Sequence, residues 1–103
     1  MVILLDGQGV SAINILIEYV IGIQPQHGRA DLRWDIRLTE RHGVLRYPLG
    51  SVNTIDLVCE QRLSPEDRPV LEIKTQNSFT LQLVWGSDVR LLTLNAGEHR
   101  IVL

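Results

Sequence analysis

Between residues 29 and 40 the chain alternates polar and apolar side chains without a break. Ala30, Leu32, Trp34, Ile36 and Leu38 fall on one side of an extended backbone, and Arg29, Asp31, Arg33, Asp35, Arg37 and Thr39 on the other. A period of two is the mark of a strand with one buried face, because successive side chains of a strand point to opposite faces. Residues 79–85 repeat it, with Phe79, Leu81, Leu83 and Trp85 set against Thr80, Gln82 and Val84. Residues 70–75 carry a shorter version, Leu71 and Ile73 inward and Glu72 and Lys74 outward. These faces predict a core that includes Leu32, Trp34, Ile36, Leu81, Leu83 and Trp85.

Turn chemistry separates the runs. Gln24 to Gly28, Arg41 to Gly43, Gln76 to Ser78, Gly86 to Asp88 and Asn95 to Gly97 all supply residues suited to tight turns, and Ser64 to Pro69 is the longest polar connection. Seven or eight strands are predicted, drawn from segments 2–5, 12–23, 29–40, 44–49, 52–60, 70–75, the hairpin 79–85 with 89–94, and 99–103. Regular spacing of short strands predicts an all-β fold, an antiparallel β-sandwich or jelly-roll-like barrel, in a single domain over 1–103. Pro48 cannot donate to a ladder, so the 44–49 strand is expected at a sheet edge. Segment 12–23 reads two ways. Ile13, Ile15, Ile17, Tyr19, Ile21 and Ile23 make one strand face, while Ile13, Leu16, Ile17, Val20 and Ile21 also make a helical stripe. The β-branched residues favour the strand.

Composition narrows the function classes. Hydrophobic residues are 45% and charged residues 21% of the chain, which suits a folded domain rather than a disordered one. A net charge of −2 gives no general attraction to nucleic acid or anionic membrane. The basic series Arg29, Arg33, Arg37, Arg41 and Arg46 is interleaved with Asp31, Asp35 and Glu40, and Trp34 alternates onto the apolar face, so no nucleic-acid surface is expected. Lys74 is the single lysine; the arginine bias suits interfaces, and a GC-rich coding bias gives the same composition. Cys59, the single cysteine, sits among Ile55, Leu57 and Val58 and reads as a buried, inert thiol. Without disulfides or a signal-peptide pattern, the chain is expected to be made in the cytoplasm. The stretch Ile13 to Ile23, interrupted by Asn14 and Glu18, is too short to span a bilayer, so no membrane partner is expected.

The residues that could carry chemistry do not converge. His27, His42 and His99 lie beside predicted turns, two at one end of a sandwich and His42 at the other, and read as solvated side chains rather than metal ligands. Gly7 and Gly9 lack the third glycine and the Lys-Ser/Thr of a phosphate loop and read as a hairpin turn. Asp31 and Asp35 alternate with arginines as cross-strand ion pairs would. The expectation is a non-enzyme with no catalytic residue, no cofactor and no metal.

What a solitary monomer does not explain is apolar side chains on faces that should meet water. Leu16 and Val20 lie opposite the Ile13 series, Val84 opposite Trp85, and Leu92 and Leu94 share a face with Arg90. Each leucine or valine that becomes buried contributes roughly 1.5–3 kcal/mol. Leu16, Val20, Val84, Leu92 and Leu94 are therefore the predicted interface residues, and other protein subunits, including further copies of the chain, the predicted partners. Cover by the chain's own N-terminal segment is the alternative, and scattered surface apolars are also normal in monomers.

The C-terminal stretch runs from Phe79 to Trp85, turns at Gly86 to Asp88, continues from Val89 to Leu94, turns at Asn95-Ala96-Gly97-Glu98 and closes with His99 to Leu103. It resembles the closing strands of small β-sandwich virion proteins of tailed bacteriophages. The resemblance is confined to residues 79–103 and carries no functional residue across. It implies a capsid decoration (cement) or tail protein, a homo-oligomer bound to a major capsid or tail protein. A carbohydrate-binding or adhesin-like module is the first alternative. It calls for exposed aromatics, and with Trp34 and Trp85 alternating with the core, Tyr19 and Tyr47 remain. The second alternative is a small oligomeric enzyme or inhibitor whose site forms between subunits.

Overall fold

The computed structural model describes residues 2–7, 16–26, 28–50 and 53–103. Among them are nine strands: β1 (Val2–Asp6), β2 (Ile23–Pro25), β3 (Leu32–Asp35), β4 (Arg41–Leu49), β5 (Asn53–Cys59), β6 (Val70–Thr75), β7 (Phe79–Trp85), β8 (Asp88–Leu94) and β9 (Gly97–Val102). They form a five-stranded sheet, β1-β4-β5-β6-β9, and a four-stranded sheet, β2-β3-β7-β8. The two sheets pack on one another, so the expected all-β, two-sheet character is correct. The purely antiparallel arrangement is not: β1 runs parallel to β4 and β3 parallel to β7. Alternation reports which face of a strand is buried and carries no information about the direction of its neighbour.

The core lies where the alternating faces meet. From the smaller sheet come Ile23, Leu32, Trp34, Phe79, Leu81 and Leu83, and from the larger sheet Val44, Ile55, Leu57, Cys59, Leu71 and Ile73. Five of the six predicted core residues belong to it. The sixth, Trp85, is only half-buried against the cluster, and its Nε1 donates to the Pro65 carbonyl at 3.3 Å. The β7–β8 hairpin closes through two residues, Gly86 and Ser87, with Trp85 opposite Asp88. Gly86 has φ 60°, as the first position of a type II′ turn requires.

Three local expectations are overturned, besides the alternating segment 29–40, which is a strand only over Leu32–Asp35, and the turn expected at Gln24 to Gly28, whose Gln24 and Pro25 lie in β2. Segment 12–23 is not one strand: Ile17–Ile21 is a π-helical turn, β2 starts only at Ile23, and residues 12–15 lie outside the described residues. Ile17 and Ile21 are both 1% exposed, and Gly22 ends the turn at φ 89° with its N–H on the Ile17 carbonyl. The four-residue spacing of two isoleucines that both find the core outweighs their strand propensity. Second, Arg41-His42-Gly43 is not a turn but the start of β4. At Gly43 the β5 backbone leaves no room for a side chain, since a Cβ there would stand 1.9 Å from the Leu57 carbonyl oxygen. Third, β4 is flanked on both sides, by β1 and β5. β1 pairs only with Arg41–Leu45, so Pro48 still lies past the end of that ladder, where no donor is asked of it. A bulge between Val44 and Tyr47 puts Leu45 and Arg46 on the surface, with Arg46 at φ 56°.

Candidate functional site

The predicted interface residues fall into two groups. Leu16 and Val20 flank and occupy the π-helical turn and are 45% and 39% exposed. Val84 and Leu94, by contrast, are 8% and 7% exposed, and Leu92 is packed against the core. The hairpin register explains this: Leu94 pairs with Phe79 and Leu92 with Leu81, so both share the core face of the sheet. The outward face of β8 is the other one, Val89, Leu91 and Thr93, with Val89 55% and Leu91 50% exposed. The inward and outward sides of β8 are thus the reverse of those expected, because both of its faces carry leucines and only its pairing with β7 sets the phase.

The two described histidines lie on different strands, His42 on β4 and His99 on β9. His42, expected in solvent, is fully buried on the core face of β4, opposite Cys59 in the ladder. Its Nδ1 donates to the Glu40 carbonyl at 2.7 Å, and its ring meets Trp34 edge-on at 6.0 Å. Burial holds the imidazole pKa below its ordinary value, with the nearby Arg62 charge acting in the same direction. Burial also pushes the Cys59 thiol up to about 11, the pKa of an inert sulfur. His99 lies in β9, its Nε2 donating to the Asn95 carbonyl at 2.6 Å, and His27 and Gly9 are outside the described residues. No group of three His, Cys, Asp or Glu that could hold a metal occurs among the described residues. A groove of about 430 Å³ on the outer face of the larger sheet is lined by Leu45, Val58 and charged side chains. Those charges are engaged with one another: Lys74 with Glu98 at 3.6 Å, Arg100 with Glu72 at 3.3 Å. Asp56 accepts from the Arg46 backbone at 2.8 Å.

The feature that sequence reasoning missed is the connection between β5 and β6. Arg62 is 7% exposed, a guanidinium inside the protein with no carboxylate among the described residues within ion-pair distance. Carbonyl oxygens surround it instead. Nη1 donates to Pro65 and to Asp67, both at 3.1 Å, and Nη2 donates to Leu38 at 2.8 Å. Its backbone N–H donates to Thr39 at 2.7 Å. Five donors in a planar fork make arginine the side chain suited to gathering several carbonyls at once. Further bonds fasten the segment: Ser64 N–H to the Asp67 carboxylate at 3.2 Å, Glu60 N–H to Val70 at 2.9 Å, and Leu103 N–H to Pro69 at 3.0 Å.

Beside this anchor stands Leu63, 96% exposed, the most exposed large apolar side chain among the described residues. A loop tied down by one buried residue presents the next one wholly to water. In the sequence its signal is a lone leucine between Arg62 and Ser64, with two prolines following. Of the aromatics, Trp34 and Phe79 are buried and Trp85 and Tyr47 are half-buried, leaving Tyr19 at 66% exposed. Among the described residues no helix is long and apolar enough to cross a membrane. No family model, curated protein or solved structure matches the chain.

Proposed function

We propose that this chain is a non-enzymatic subunit-binding protein that seats Leu63 in an apolar pocket of a partner protein. The observation that carries the reading is the pairing of a 96% exposed leucine with a loop held by the buried Arg62 guanidinium. A hydrophobe on a slack loop loses conformational freedom when it docks; one on a fastened loop is already placed, and preorganisation of that kind raises affinity. Full burial of a leucine is worth about 1.5–3 kcal/mol, the size of an interface hot spot. The closed-off states of His42 and Cys59 support the non-enzymatic side of the reading, since both reactive side chains are kept from any substrate. On the likeness of its closing strands, the partner is a virion subunit and the chain a capsid decoration or tail component.

The test is a photo-crosslinking amino acid placed at position 63 in cells that make the protein, with exposed Lys74 on β6 of the larger sheet as control. The reading predicts one adduct of discrete mass from position 63 and none from position 74. Equal, diffuse labelling from both positions would overturn it.

A further inference from the structure

We infer that β8 is an interface with a second copy of this chain, joined edge to edge about a two-fold axis. The inference deepens the subunit-binding reading by naming one partner, and it stands on a different surface from Leu63. Its basis is the contrast between β8 and the three other strands that end a sheet. β2 is three residues long and includes Pro25. β1 carries Asp6, bonded to the Arg46 guanidinium. β9 carries Glu98 and Arg100, each tied to a charge on β6. Short length, proline and charge are the devices that keep an edge from pairing with another chain. β8 has seven residues, no proline and no irregularity in its ladder with β7, and its outward face is Val89, Leu91 and Thr93. Its one charged pair, Arg90 with Asp88 at 3.2 Å, is neutral within the strand.

The backbone agrees with the side chains. In an antiparallel ladder, residues bonded to the neighbour alternate with residues whose N–H and C=O point away. Counted from the two-residue turn, where Trp85 and Asp88 form the bonded pair, Val89, Leu91 and Thr93 turn their backbone groups to the edge that no described strand covers. An extended segment meeting that edge must offer the same alternation, and β8 itself does. Self-pairing centred on Leu91 sets Leu91 against its own copy and Val89 against Thr93, with all seven residues of β8 in register. Centred on Arg90 instead, the pairing would set two guanidinium groups directly opposite each other, which like charges disfavour. Each strand is thus the complement of its copy, and one sheet runs through both.

The experiment is oxidative crosslinking of the full chain carrying Leu91→Cys or Thr93→Cys, followed by sedimentation of wild type, Leu91→Pro, Val89→Lys and Leu63→Asp. Cα atoms of a bonded antiparallel pair lie about 5.5 Å apart, within disulfide range. Leu91→Cys should therefore form a covalent dimer, while Thr93→Cys, displaced along the strand from its own copy, should not. Wild type and Leu63→Asp should sediment as dimers. Leu91→Pro, which removes an edge donor without touching the β7 ladder, and Val89→Lys should sediment as monomers with unchanged β-sheet circular dichroism. A monomeric wild type, or a dimer that survives both β8 variants, overturns the inference. If position 63 still captures a partner in that case, the subunit-binding reading stands without it. Loss of the dimer in Leu63→Asp alone would place self-association at the loop and overturn the β8 assignment.

Discussion

Arg62 reaches across from the β5–β6 connection to donate to the Leu38 carbonyl at 2.8 Å, tying the most exposed leucine of the fold to the segment that follows β3. Replacing Arg62 with Ala removes this tie and leaves the half-buried Leu38 carbonyl without its partner. An orphaned acceptor of that kind costs about 1–3 kcal/mol, while water replaces the guanidinium at exposed Pro65 and Asp67. Limited proteolysis should then cut within residues 60–69 of Arg62→Ala well before it cuts wild type. Equal rates of cleavage would show that the loop is held by other means.

Trp34 is fully buried and donates from Nε1 to the Ile21 carbonyl at 3.3 Å. Truncating it to Ala should cost about 3–5 kcal/mol, a large share of the stability of a small domain. Trp85, half-buried at the end of β7, should cost less. Chemical denaturation of both variants checks the order, and a Trp34→Ala protein as stable as wild type would remove Trp34 from the core.

Gly43→Ala should destabilise more than a surface substitution, because its Cβ would meet backbone on the neighbouring strand, the Leu57 carbonyl oxygen at 1.9 Å and Val58 Cα at 2.8 Å. Backbone cannot step aside as a flexible side chain can, and overpacking of this kind costs about 1–3 kcal/mol or more. A melting temperature equal to that of wild type would show that β4 and β5 separate freely.

Stability should fall towards both acid and alkali. His42 has its pKa lowered by burial from an ordinary 6.5. As the pH drops below that value the unfolded chain binds a proton that the folded chain refuses, and stability falls by up to about 1.4 kcal/mol per pH unit. At the other end, Cys59 is pushed up to about 11 from 9.0, and burial raises Tyr47 as well. The unfolded thiol ionises first, so stability falls as the pH rises from 9 towards 11. Urea midpoints of His42→Leu and Cys59→Ala against pH check the assignment: each variant should flatten its own limb of the curve and leave the other.

These results mark how far the sequence reaches. Strands with one wet face announce themselves: β6 and β7 begin and end where alternation places them, and the buried set around Trp34 follows. The phase of β8 was not legible, because leucines on both faces give no contrast and the pairing of Leu94 with Phe79 decides the matter. Nor was the fate of His42, whose neighbours Arg41 and Gly43 look like turn chemistry until β5 is seen to pass so close. Parallel pairing of β3 with β7 joins segments far apart in sequence, and no local pattern encodes it. The Leu63 loop was visible only as the longest polar connection. Its order comes from Arg62, and a single arginine does not show in the sequence that it is buried.

If Leu63 carries binding and not folding, truncating it separates the two. The equilibrium Kd of wild type and of Leu63→Ala is measured for the subunit captured at position 63, beside the melting temperature of each. A side chain 96% exposed in the free chain contributes nothing to its core, so the melting temperatures should agree. The Kd should rise by about thirty-fold, the equivalent of roughly 2 kcal/mol lost at a buried anchor. Equal Kd values for the two proteins would rule out this role for Leu63, and so would a lower melting temperature that accounts for the whole loss of binding.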